Sequence, residues 1–215
     1  MKQPTYVQEN ENLNPFFSIW FSTRKTIRYA LENKSLKYAL ILTAISGIPN
    51  GFNAFGELSS ELNIHLWVLI LGSIILGPLL SLLGLGISTV VLTYVGKWLG
   101  GVGTLKEMAK TMGITTIPTI WLSPFFILSS IFTYNGIFQL DSPSGFTSGA
   151  VIWMILSSLI LFGFGIWMII LQSQAIGEVH QFSSLRGFGT LIIPSVVLFI
   201  ILFIVLMVFF TAVVI

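Results

Sequence analysis

The chain contains no cysteine, which excludes disulfides, thiolate metal sites and cysteine nucleophiles. It is also poor in charge. Only 8% of its 215 residues are Asp, Glu, Lys or Arg, against about a quarter in an ordinary soluble domain. With 54% hydrophobic residues, there is too little polar surface to hold a molecule of this size in water. The composition therefore describes an integral membrane protein. No cleavable leader is expected, because the first apolar run begins near Tyr38, behind an aromatic and basic segment.

Charge is scarcest within the apolar stretches. None of the predicted hydrocarbon cores contains Asp, Glu, Lys, Arg or His, the groups on which proton relays, ion-coupled transporters and intramembrane proteases depend. A serine nucleophile would have no base at that depth. No hydropathy symmetry points to inverted repeats. We therefore expect no enzyme, no catalytic residues, no metal and no cofactor.

What is present is apolar length. Five stretches, roughly 36–55, 66–95, 114–138, 150–171 and 188–215, each reach the ~20 residues a helix needs to cross a bilayer. The predicted fold class is an all-α integral membrane protein with five transmembrane helices and an N-terminal amphipathic interfacial helix. Residues 1–13 are expected to be a disordered cytoplasmic tail, 14–35 the interfacial helix and 36–215 the five-span domain. The first stretch is the weakest, since Pro49, Asn50 and Asn53 suggest a helix that breaks or ends early. Gly77-Pro78 could kink the overlong second stretch.

Charge placement sets the orientation. With the N-terminus inside, every Lys and Arg falls in the N-terminal region, in 96–113 or in 172–187, while the outer loops hold only Glu57, Glu61 and Asp141. The positive-inside rule then predicts a cytoplasmic N-terminus and an extracytoplasmic C-terminus in a cell membrane.

"NPFFSIWFSTRKTIRYAL" precedes the first span. Asn14-Pro15 is a helix start. On a helical wheel Phe16, Ile19, Trp20, Ile27, Ala30 and Leu31 share one face. Ser18, Ser22, Lys25, Thr26 and Tyr29 lie opposite, with Arg24 and Arg28 at the boundary. Such a helix lies in the interface, its apolar face in the acyl boundary and its cations on anionic headgroups. Trp20, Arg24, Lys25 and Arg28 are the candidate lipid-contacting residues.

In "GGVGTLKEMAKTMG", Thr104 and Glu107 form a capping box. A short helix is expected from Leu105 to Met112, with Gly113 as its stop and with Lys106 and Lys110 pointing away from its apolar face. No Gly-Lys-Ser/Thr follows the glycines, so this is no phosphate loop. The loop before the last apolar stretch supplies Glu178, His180 and Arg186, expected in an intraloop salt bridge or on headgroups. Together with Lys97, Gly100, Gly101, Gly103 and Glu107 they form the candidate cytoplasmic partner surface. Glu57, Glu61 and His65 recur at helical spacing and could share an ion, but a hydrated outer loop end is the reading preferred for them. Ser73, Gly77, Ser81, Gly84 and Ser88 form a small-residue stripe, and Gly47 and Gly51 a second. Both permit close helix packing, within the chain or against another.

The opening segment, the "GGVGTLKEMAKTMG" loop and "GEVHQFSSLRGFGTLIIP" together resemble the Yip1 domain family in its bacterial branch, from about residue 14 to 215. The resemblance implies a non-enzymatic five-span membrane protein, N-terminus inside. It further implies an accessory subunit of an ABC-type exporter as a function. The expected partners are a bilayer with anionic headgroups and either exporter subunits or further copies of the chain, with no nucleic acid. A self-contained lipid-organising protein and a small transporter or channel are the alternatives.

Overall fold

The computed structural model describes residues 13–62, 65–138 and 148–214. Among them the structure is entirely helical. Its elements are α1 (Pro15–Ser18), α2 (Thr23–Asn33), α3 (Leu36–Leu62), α4 (Leu66–Trp98), α5 (Leu105–Ile114), α6 (Ile117–Phe138), α7 (Ser148–Val179) and α8 (Ser184–Val214).

Among the described residues four stretches are long and apolar enough to cross a membrane: Ile70–Trp98, Leu105–Leu128, Val151–Val179 and Ser184–Thr211. The second of these joins α5 to the first part of α6. The first expected span, α3, is 27 residues long but is not among the four. Pro49, Asn50 and its glycines lower its hydropathy. The expected break does not occur, however, and α3 runs through Pro49 to Leu62. Likewise α4 continues past Pro78 as one helix. A proline in an apolar helix is tolerated where a packed neighbour supports the freed backbone.

That neighbour is close. A Cβ on Gly47 would stand 2.6 Å from the Gly77 carbonyl oxygen and 2.7 Å from Pro78 Cα, and one on Gly51 would stand 3.0 Å from Ser73. The two glycines of α3 therefore let the backbones of α3 and α4 touch. α3 also packs on α5 and α6, and α7 on α8. The α7–α8 hairpin joins the rest through α2, α5 and the flanks of α4 and α6. From Ile192 to Phe210 every large apolar side chain of α8 is exposed, the surface of a helix whose surroundings are lipid.

All described Lys and Arg residues lie at one end of the bundle, where α3, α6 and α8 begin and α4 and α7 finish. The core is concentrated there, built of Ile19, Ile27, Met108, Ile114, Ile117, Leu171 and Ile176. The N-terminal segment belongs to this polar cap, and two details differ from its predicted form. It is two helices rather than one, broken between Ser18 and Thr23. Its apolar face is turned onto protein: Ile19, Ile27 and Ala30 are fully buried. Thr26, expected on the polar face, is also buried, its hydroxyl 2.8 Å from Ser18 Oγ and 2.9 Å from the Ser22 carbonyl oxygen.

The α5 capping box forms as expected: the Glu107 N–H donates to Thr104 Oγ1, and the Thr104 N–H to Glu107 Oε2. Gly113 does not stop this helix. It lies inside α5, where a Cβ would stand 2.6 Å from the Ala39 carbonyl oxygen of α3. Nor does Lys110 point away. It is buried and its Nζ donates to the Leu31 carbonyl at the end of α2.

Candidate functional site

Helices α4 and α7 finish side by side, and both finish in the same way. In α4 the Gly101 N–H donates to the Gly96 carbonyl and the Gly100 N–H to Lys97, with Gly100 at φ +88°. In α7 the Phe182 N–H donates to the Gly177 carbonyl and the Gln181 N–H to Glu178, with Gln181 at φ 57°. These are paired Schellman motifs, which satisfy the last carbonyls of a helix and need a left-handed residue just beyond it.

His180 is the C-cap of α7 and is 1% exposed. Its ring is seated in a collar of three glycines on the other chain end. A Cβ on Gly96 or Gly101 would run into the imidazole, and one on Gly103 would meet Val179 and then the edge of the ring. The Gly103 N–H donates to Nδ1 at 3.2 Å, which makes Nε2 the protonated nitrogen. Nε2 is buried without a hydrogen-bond partner among the described residues. Phe182 stacks on the ring at 5.3 Å, and the Val102 N–H donates to the His180 carbonyl. Burial pushes the imidazole below its usual pKa, and the nearby Lys97 acts in the same direction. The Leu92 carbonyl and Glu107 oppose this. The ring is thus held neutral and locks two loops together.

Two residues before His180, Glu178 faces α2. Arg28 Nε and NH2 both reach Glu178 Oε1 at 2.7 Å, and Arg24 NH1 lies 3.5 Å from Oε2. Arg24 NH2 also donates to the Phe182 carbonyl and to Ser184 Oγ, each at 3.1 Å. One carboxylate, 11% exposed, therefore ties two guanidiniums to the α7–α8 turn. Beside this latch lies an open cleft of about 610 Å³ between α2, α5 and the end of α7, with Glu32 and Glu107 on its walls.

The structure brings Gly101, Gly103 and His180 together, and joins Glu178 to Arg24 and Arg28. The pairing of Glu178 across to the N-terminal helix replaces the intraloop bridge expected with Arg186, which is exposed on α8 beside Gly100. Lys97 is exposed, 5.9 Å from the Tyr94 ring. Lys25 is exposed, and Trp20 is stacked on Trp167 at 4.6 Å. Of the small-residue stripe, Ser73 and Gly77 face Gly51 and Gly47 of α3. Ser88 donates to its own helix at Leu85, Ser81 is half-buried, and Gly84 has open space where a side chain would stand. His65 is exposed, and the side chains of Glu57 and Glu61 lie outside the described residues. Sequence reasoning missed Gly96. Its only signal was a spacing of four and five from Gly100 and Gly101, which a Schellman ending requires.

No group of three His, Asp or Glu side chains converges among the described residues. A bundle of long apolar helices with a polar cap at one end defines a polytopic α-helical membrane protein. The chain belongs to the Yip1 domain family, whose model matches residues 17–206. No curated protein and no solved structure matches it.

Proposed function

We propose that the chain is a five-span, non-enzymatic membrane protein, with α3 as the first span, the N-terminus in the cytoplasm and the C-terminus outside. In this reading it serves as an accessory or scaffolding subunit for a partner membrane complex, such as an ABC-type exporter. The observation that carries the reading is the division of the molecule. Described side chains between Tyr38 and Phe55, and in α6, include no Asp, Glu, Lys, Arg or His. The same holds for α4 up to Val95, α7 up to Leu171 and α8 from Phe188. Apart from His65, the described ionisable side chains are instead gathered in the cap and its open cleft. Such an arrangement offers a docking face to a protein and, among the described residues, no ionisable path to a solute.

Native co-purification tests this. A tagged copy, extracted from its own membranes in mild detergent, is expected to bring a stoichiometric membrane protein with it. A homo-oligomer carrying only lipid would overturn the accessory role.

A further inference from the structure

The break between α1 and α2 leaves two large apolar side chains mostly uncovered. Phe17 is 60% exposed and Phe21 is 94% exposed, although the residues around them are fixed. Ile19 is fully buried, and Trp20 is stacked on Trp167. Trp121 Nε1 donates to the Phe16 carbonyl at 3.1 Å, and its ring meets Phe17 edge-on at 5.5 Å. The elbow is held in place and its phenylalanines point outward.

The depth of the elbow says what it faces. Trp167 lies four residues before Leu171, the last residue of the uninterrupted apolar run of α7, about 6 Å along the helix at 1.5 Å per residue. Trp20, stacked on Trp167, therefore sits just inside that run, while Arg24, four residues later, reaches back to Glu178 at the polar rim. Trp121, Trp167 and the elbow form an aromatic layer of the kind found where hydrocarbon meets headgroups. Lys25, Arg28 and Lys37 are exposed on the rim above it, the sign that complements an anionic leaflet.

We infer that the α1–α2 elbow is a wedge set into one leaflet of the bilayer. Phe17 and Phe21 enter the acyl boundary and Lys25 lies against anionic headgroups. The lipid contact thus passes from the arginines to the phenylalanines. Arg24 and Arg28, bound to Glu178, set the angle of the wedge. A shallow wedge in a single leaflet binds more readily where lipids are loosely packed. This inference requires membrane embedding and does not depend on the accessory role.

The absence of cysteine makes the test direct. Single cysteines in the full chain, Phe17→Cys, Phe21→Cys and Gln181→Cys, carry an environment-sensitive dye in vesicles of phosphatidylcholine and phosphatidylglycerol. Dyes at 17 and 21 are expected to be quenched several-fold more than the dye at 181 by nitroxides near the glycerol end of the acyl chains, and to be shielded from iodide. Equal iodide access at all three positions would overturn the wedge. Because the dye is itself apolar, a benzoyl-phenylalanine at position 21 provides a second reading in native membranes. Lipid adducts support the wedge, and a single protein adduct would replace it with a protein contact.

Discussion

At the scale of single residues, His180 has the strongest consequences. Its folded state disfavours the proton because burial costs the charged ring its hydration. The unfolded chain therefore takes up a proton first as pH falls. The ring's contribution to stability is full above the ordinary histidine value of about 6.5. It is lost as pH drops through the lower, folded value. The melting temperature in detergent is expected to fall over that window in the native chain, and to fall less in His180→Gln. The collar has a matching test. Gly96→Ala is expected to destabilise by about 1–3 kcal/mol through overpacking. Much of that loss should disappear in the Gly96→Ala/His180→Ala double variant, because the Cβ then has no ring to meet. An additive double variant would show that the collar does not act on the ring.

At the scale of elements, two helix ends and one helix latch can be separated by experiment. Gly100 and Gln181 occupy equivalent left-handed positions, yet only one is the residue that adopts this conformation without strain. Gln181→Gly is expected to raise stability by about 0.5–1 kcal/mol and Gly100→Ala to lower it by about 1 kcal/mol, read from paired melts. The latch predicts a kinetic effect. Glu178→Gln leaves two guanidiniums without their shared carboxylate, so trypsin should cut at Arg24 and Arg28 several-fold faster with little change in helix content. Unchanged cleavage would mean that buried Ile19, Ile27 and the Lys110–Leu31 bond hold α2 alone.

The sequence was a good guide to these elements where the signal is local. The capping box of α5 and the Asn14-Pro15 start are written in four residues or fewer, and both form. Length and hydropathy likewise placed α4, α6, α7 and α8. Non-local facts were not legible. A helical wheel identifies an apolar face without saying whether lipid or protein covers it. The face of α2 was accordingly read as lipid-bound when Ile27 and Ala30 are buried on protein. The Glu178 latch joins residues 150 and 154 positions apart, and no spacing rule reaches that far. Pro49 misled for a related reason: the glycines that offset it become meaningful only once Gly77 is known to face Gly47.

At the scale of the whole molecule, the orientation and the α3–α4 contact are open to test. A cysteine at Arg186 is expected to react with a membrane-impermeant reagent from the cytoplasmic face only, and one at His65 from the outer face only. The opposite pattern would invert the topology. Gly47→Leu should prevent folding or lower the melting temperature by far more than Gly84→Leu, since only the first position meets a neighbouring backbone. The exposed surface of α8 also has a mechanical consequence. α8 packs on α7 and α4, its large apolar side chains from Ile192 to Phe210 are exposed, and it runs for 31 residues, about 46 Å at the helical rise. It is a lever with its fulcrum at the cap. A tilt of about 5° at the cap moves the far tip by about 4 Å across that length, so a small change of angle at one end of the helix becomes a displacement the size of a side chain at the other.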